Sequence, residues 1–149
     1  MGCDIHTYVE QQEGDGTWVR AEWPDADRAN YVWGPFDWRS YHLFGFLADV
    51  RNYSKVPPIA DPRGLPGDVS AALREQADDI DHHSHSWLSV SELADFDYAQ
   101  TFEDRRVTRG GGKRVTYREF LGEEFFRDLA TLTTMNTARP TRVVFWFDS

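Results

Sequence analysis

The chain has 149 residues, of which 40% are hydrophobic and 15% aromatic, and its 25 acidic and 16 basic side chains give a formal net charge of −9. This length and this aromatic content predict one globular domain over residues 1–149 and exclude an intrinsically disordered chain. The acidic balance argues against binding to bulk nucleic acid, because the phosphate backbone attracts net positive charge.

Cysteine usage and hydropathy indicate the compartment. Cys3 is the single cysteine, so no internal disulfide can form and the fold needs no oxidising environment. The sequence contains no run of about 18 apolar residues, which a membrane span requires. It also contains no basic stretch followed by an apolar segment, which is the pattern of a signal peptide. We therefore expect a cytoplasmic protein without a membrane partner.

The first third of the chain predicts a β-hairpin and then a buried helix. Residues 4–11 carry β-forming side chains in near alternation, Glu13-Gly-Asp-Gly indicates a turn, and residues 17–23 form the returning strand. Apolar residues between Ser40 and Asn52 have near-helical spacing, which predicts a buried helix that ends near Asp49. A loop rich in proline and glycine follows over residues 55–67, and a short polar helix then reaches Ala77.

The rest of the chain predicts further helices, a second hairpin and a final strand. Capping-box patterns begin helices at Ser89 and Thr116, the second of which is expected to be the longest and to reach about Thr134. Residues 101–109 and 113–117 flank three glycines as a second hairpin, and residues 141–148 form a central strand that pairs with the N-terminal hairpin. The predicted fold class is α+β: a small, mainly antiparallel sheet, made of the N-terminal hairpin and the C-terminal strand, covered by helices.

Two acid–histidine clusters suggest a divalent-metal site. Asp4 and His6 lie two positions apart in a predicted strand and therefore project from the same face. In extended backbone His83 and His85 also share a face, whereas His82 points away. A carboxylate combined with imidazoles suits zinc, manganese or a similar divalent ion. The alternative interpretations are an Asp–His hydrogen-bonded pair and a solvated polar loop.

Further candidates surround this site. Asp49 is a predicted additional ligand, because an acid at the C-terminal end of a helix is electrostatically misplaced unless it has a role; Asp148 is a weaker candidate. Asp49 or Asp81 is the candidate general base, and Arg51 or Arg63 would neutralise charge that develops on a phosphate. Some aromatic side chains could stack on a base, namely Trp33, Trp38, Tyr41 and Tyr53. Aromatic residues of this kind more often belong to a core.

A second group of basic residues flanks the glycines of the second predicted hairpin. Six bases lie between positions 105 and 118: Arg105, Arg106, Arg109, Lys113, Arg114 and Arg118. A glycine loop bordered by arginine can close over a phosphorylated ligand. The favoured interpretation is nevertheless a solvated hairpin tip.

Several segments resemble a family of small, uncharacterised proteins encoded by bacteriophages and prophages. They are the opening Met-Gly-Cys-Asp-Ile-His, Ala48-Asp-Val-Arg-Asn, Pro62-Arg-Gly-Leu-Pro, His83-Ser-His-Ser and the final Val144-Phe-Trp-Phe-Asp. The resemblance spans nearly the whole chain. It implies a bacterial cytoplasm and a role in the phage life cycle, and it supplies no chemistry.

The residues support two classes of function. The first is a metal-dependent hydrolase that acts on a phosphodiester or nucleotide, with the ion held by Asp4, His6, His83, His85 and Asp49. The second is a non-catalytic protein that binds a nucleotide and sequesters a host defence signal. Both have a small phosphorylated ligand or nucleotide as partner, whereas a third possibility, a structural adaptor, predicts neither metal nor turnover.

Overall fold

A four-stranded antiparallel sheet organises the computed structural model, which describes residues 2–106 and 111–149. The bounds of its strands are Asp4–Gln12 for β1, Trp18–Ala21 for β2, His82–Ser89 for β3 and Thr141–Asp148 for β6. Across the sheet these strands lie in the order β2-β1-β6-β3. Strand β6 therefore pairs with the N-terminal hairpin on one side and with β3 on the other. The predicted α+β class, with its mainly antiparallel sheet, is confirmed.

Five α-helices and a two-stranded sheet occupy the rest of the described chain. The helices are α1 (Tyr41–Ala48), α2 (Ala71–Ala77), α3 (Val90–Asp95), α4 (Tyr117–Leu121) and α5 (Glu123–Ala138). The small sheet pairs β4 (Thr101–Asp104) with β5 (Lys113–Thr116). This pairing is the second predicted hairpin, but its residues 107–110, which include Arg109, lie outside the described part of the chain. None of the described helices is long and apolar enough to cross a membrane.

The two faces of the main sheet are covered differently because side chains alternate along each strand. The first face, here called the core face, packs Val143, Phe145 and Phe147 of β6 into the large hydrophobic core. The opposite face, here called the α2 face, carries Val144 and Trp146, which pack against α2. The large core contains buried residues from the other four helices, among them Phe44, Leu93, Phe120 and Phe125.

The local signals for helix ends are largely borne out. Ser89 and Thr116 each form a capping box with the glutamate three residues later. The helix predicted to run from Thr116 to about Thr134 is divided, however, because Gly122 has a φ of 83° and ends α4 before α5 begins. That backbone conformation is incompatible with a continuous right-handed helix.

Candidate metal centre

Two histidines and one carboxylate meet on the α2 face, near the end of the main sheet. His6 belongs to β1, His82 to β3 and Asp148 to the central strand β6. Asp148 lies directly opposite His82 in the strand register, and His6 lies opposite Trp146. Because Trp146 and Asp148 are two residues apart on one strand, their side chains project from the same face. The antiparallel pairing thus collects three potential ligands from three adjacent strands.

A β-bulge in β3 decides which histidines join this group. The register between β3 and β6 shifts between His83 and Ser86, and Ser84 has a φ of 56°. An extra residue in one strand interrupts the alternation of faces. His82 and His85 therefore both approach the Trp146 ring, at centroid distances of 5.7 Å each.

His83 consequently points to the opposite side of the sheet. Its ring stacks on Phe147 of the core face, with centroids 6.1 Å apart, and its Nε2 lies 2.9 Å from the Ser149 hydroxyl. Sequence alternation predicts that His83 and His85 share a face and that His82 points away. The structure corrects this assignment, because it separates His83 from His85 and brings His82 into the group.

The spacing of the three side chains is compatible with one ion. A ligand atom from each of His6, His82 and Asp148 lies within 4.8 Å of the other two. Nε2 of His6 contacts the Asp148 carboxylate directly, and the rings of His6 and His82 have centroids 5.3 Å apart. Donor atoms on one tetrahedral zinc at about 2.1 Å are separated by roughly 3.4 Å. Side-chain movements of about 1 Å would therefore convert this arrangement into a coordination sphere.

A backbone carbonyl at the end of α2 orients two of the histidines. Nδ1 of His82 and Nε2 of His85 lie 3.2 and 3.1 Å from the Ala77 oxygen. A carbonyl only accepts hydrogen bonds, so each ring must carry its proton on that nitrogen. In the neutral tautomer of His82 this leaves the lone pair of Nε2 for another partner. The Ala77 carbonyl thus orients both rings.

The ring of Trp146 forms the base of the group. Trp146 is 1% exposed. The rings of His6 and Tyr8 stack on its ring, with centroid distances of 6.3 and 5.0 Å. The tryptophan in turn packs against Leu73 and Ala77 of α2 in the hydrophobic cluster of this face. The histidines are thus supported from below by a packed side chain, which restricts their rotation.

Asp4 and Asp37 border the group without belonging to it. Asp4 is the strand neighbour of Asp148, but its carboxylate accepts hydrogen bonds of 2.9 and 3.0 Å from Arg39. These hydrogen bonds hold the pKa of Asp4 below its usual range. Burial raises the pKa of Asp37, and the charges of His6 and Asp4 act on it. Sequence reasoning missed Asp37, because its approach to β1 depends on the loop path between β2 and α1.

The other predicted site residues have different roles. Asp49 caps the C-terminus of α1 in a left-handed conformation and accepts a hydrogen bond of 2.8 Å from Asn52. Arg63 forms a bidentate ion pair with Glu92 at 2.6 and 2.8 Å, and the Arg51 guanidinium lies 5.7 Å from the Tyr41 ring. Asp81 is exposed next to His82. The acid–histidine group of the described residues includes none of these four.

A cleft beside the group, here called the α2 cleft, offers space for a ligand. It has a volume of about 800 Å³ and lies between α2 and the loop before it, and its lining includes Leu65, Ala71, Arg74, Ala77, Asp78 and His85. The His85 ring is 6.5 Å from the ring of His82. His85 therefore connects the three-residue group to the cleft, and Arg74 supplies a cation there.

Comparisons of the chain with protein-family models, with curated proteins and with solved structures give no match. The site's own geometry is therefore the basis for a functional assignment.

Proposed function

We propose that the protein is a metal-dependent hydrolase that acts on a phosphodiester or a nucleotide. The observation that supports this most directly is the convergence of His6, His82 and Asp148, whose ligand atoms lie within 4.8 Å of one another. Two imidazoles and one carboxylate suit zinc, manganese and iron(II). On the resemblance to bacteriophage proteins, we further propose that the protein acts in the cytoplasm of an infected bacterium.

The composition of the ligand set favours a catalytic over a structural ion. Structural zinc sites are closed by four protein ligands, whereas catalytic sites keep a position for water or substrate. This group offers three protein ligands, and each of the three residues is partly exposed. An ion held by His6, His82 and Asp148 would supply the chemistry of such sites, which is to lower the pKa of a water in the open position.

The surroundings supply the other parts that phosphoester hydrolysis needs. Arg74 in the α2 cleft can neutralise charge on the phosphoryl oxygens. His85 lines the same cleft and is held through Nε2, so its Nδ1 is available to accept a proton from water. Arg51 and Arg63, the arginines that the sequence suggested for this task, engage Tyr41 and Glu92 instead.

Metal binding is tested first, with a histidine on the same strand as control. Purified protein is loaded with zinc or manganese, desalted and analysed for metal content. We expect about one ion per chain, and loss of this ion in His6→Ala, His82→Ala and Asp148→Asn. His83→Ala is the matched control and should retain the ion, because His83 faces Phe147. Metal loss in His83→Ala but not in His82→Ala would overturn the assignment.

Turnover is tested separately on the metal-loaded protein. Nucleotides, cyclic dinucleotides and bis-p-nitrophenyl phosphate are incubated with the wild type, with His82→Ala and with His83→Ala. Hydrolysis that disappears with chelator and in His82→Ala supports the enzyme. A nucleotide that binds and is recovered intact after denaturation of the protein would instead support the alternative function, sequestration of a host signal without catalysis.

A further inference from the structure

A second recess, here called the tryptophan pocket, lies on the β1–β2 side of the histidine group. It has a volume of about 480 Å³, and its lining includes Tyr8, Arg20, Trp23, Arg28, Trp33 and Gly34. Tyr8 is two residues from His6 on β1, so both project from the α2 face. The Tyr8 ring also stacks on Trp146, the base of the histidine group. The pocket is therefore a neighbour of the candidate metal centre.

Arginine side chains in this pocket are stacked on aromatic rings and carry no carboxylate partner. The Arg20 guanidinium lies 4.9 Å from the Tyr8 ring, and that of Arg28 lies 5.7 Å from the Trp33 ring. Among the described residues neither arginine forms an ion pair, although Glu22 lines the same pocket. In a chain with a net charge of −9, two uncompensated guanidinium groups beside aromatic rings favour an anionic ligand that has a planar ring.

The indole of Trp23 forms part of the pocket wall. Trp23 is 6% exposed and belongs to the large hydrophobic core. Its Nε1 is itself closed to solvent, so a ligand in the pocket would contact the ring of Trp23 and not its N–H group.

The loop that carries Trp33 is held in place at that residue and directly after it. The Trp33 N–H donates to the Asp37 carboxylate at 2.8 Å, and the Thr7 hydroxyl donates to the Pro35 oxygen at 2.5 Å. A Cβ at Gly34 would lie 2.4 Å from the Thr7 carbonyl oxygen, so only glycine permits this approach. The Trp33 side chain is nevertheless 53% exposed. An exposed indole on a loop whose backbone is held in place is suited to stacking on a nucleobase.

We infer that the tryptophan pocket binds a nucleotide, with the base against Trp33 and the phosphate between Arg20 and Arg28. This inference rests on the proposed function and names the part of the substrate that lies beside the metal centre. The Arg20 guanidinium lies over Tyr8, which is two residues from His6 on β1. A phosphate held by Arg20 would therefore lie on the side of the pocket nearest the candidate metal centre.

Binding is measured without metal, so that it does not depend on the candidate metal centre. Isothermal titration calorimetry with 5′-AMP, in the presence of a chelator, is compared with titrations of adenosine and of inorganic phosphate. We expect AMP to bind more tightly than either fragment. The double variant Arg20→Ala/Arg28→Ala should weaken AMP binding about 100-fold, and Trp33→Leu about 10-fold. Arg118→Ala is the matched control and should leave the affinity unchanged, because the Arg118 guanidinium is also stacked on an aromatic ring, 4.2 Å from that of Phe126, but lies outside the pocket.

The melting temperature of each variant is measured as well, so that a loss of ligand contact is distinguished from a loss of folded protein. Several results would overturn the pocket assignment: no AMP binding at millimolar concentration, equal affinity for AMP and adenosine, or a loss of affinity in Arg118→Ala alone. Nucleotide turnover by metal-loaded protein that is insensitive to Arg20 and Arg28 would overturn this inference and leave the proposed function standing. Tight AMP binding without any metal or turnover would do the reverse.

Discussion

Ser84 has a left-handed backbone conformation, with a φ of 56°, in the middle of a β-strand. Residues other than glycine, asparagine and aspartate adopt this backbone conformation at a cost in free energy, and the cost is largest for β-branched residues. We expect Ser84→Val to lower the free energy of unfolding by about 1–2 kcal/mol. Ser84→Gly should be neutral or stabilising by up to about 1 kcal/mol. Chemical denaturation of the two variants checks this, and equal destabilisation by both would contradict the role given to the bulge.

The bulge also explains which part of the site the sequence could predict. Strand alternation with Asp4 makes His6 a ligand candidate in the sequence, and His6 does project toward the group of the α2 face. The same alternation predicts that His82 points away, because a register shift at Ser84 leaves no recognisable pattern in a single sequence. Asp148 is a weak candidate in the sequence, since its contact with His6 joins residues 142 positions apart and depends on strand register.

Helix α2 is the element that links packing to the geometry of the site. Leu73 is fully buried against the cluster that contains Trp146, and the last residue of α2 offers its carbonyl to His82 and His85. We expect Leu73→Ala to lower the free energy of unfolding by about 2–5 kcal/mol. It should also weaken metal binding about 10-fold, because the carbonyl that orients the histidines loses its support.

The matched control for this prediction lies in α3. Leu93 is as buried as Leu73 but belongs to the core on the opposite face of the sheet. Leu93→Ala should therefore lower stability by a similar amount and leave the metal affinity unchanged. Denaturation curves together with metal titrations of the folded variants measure both effects. Equal losses of affinity in the two variants would mean that α2 has no particular connection to the ligands.

The break between α4 and α5 depends on one residue. Gly122 has a φ of 83°, and a Cβ at this position would meet no atom within 4 Å. The cost of a side chain is therefore backbone strain alone, and we expect Gly122→Ala to lower the free energy of unfolding by about 1–2 kcal/mol. Gly122→Asn should cost about as much, because asparagine tolerates the left-handed helical region, with ψ of about +47°, whereas the ψ of Gly122 is 169°. Thermal or chemical denaturation of the two variants measures the cost, and a stabilised Gly122→Ala would show that the two helices can fuse.

For the whole molecule, the sheet was predictable where its signals are local. A glycine turn joins β1 to β2, and a run of β-branched and aromatic residues forms β6, so their pairing could be expected from the sequence. The division of the helices between the two faces was not predictable, since it depends on chain topology. The loop of residues 55–67 illustrates this dependence. Arg63 in this loop forms an ion pair with Glu92 at the start of α3, and no local sequence pattern predicts this contact.

The dependence of stability on pH reflects the same tertiary contacts. Asp128 of α5 accepts a hydrogen bond of 2.7 Å from the Phe36 N–H, and burial raises its pKa from its usual 3.8 to about 6. A carboxyl with a raised pKa binds its proton more tightly in the folded than in the unfolded chain. Its contribution to stability is therefore complete below about pH 4 and declines as the pH rises to about 6. We expect the stability of the wild type, relative to Asp128→Asn, to fall over this interval.

Glu92 should give the opposite slope and serves as the internal comparison. Hydrogen bonds from Arg63 hold its pKa below the usual range, so its contribution is present above about pH 4.5 and is lost as the pH falls. Denaturation of the wild type, Asp128→Asn and Glu92→Gln at intervals between pH 3.5 and 7 measures both differences. The free energy of unfolding of the wild type should fall relative to that of Asp128→Asn as the pH rises. Relative to that of Glu92→Gln, it should fall as the pH decreases. A flat difference for Asp128→Asn would mean that its carboxyl is solvated as in the unfolded chain, and that the Phe36 contact is replaced by water.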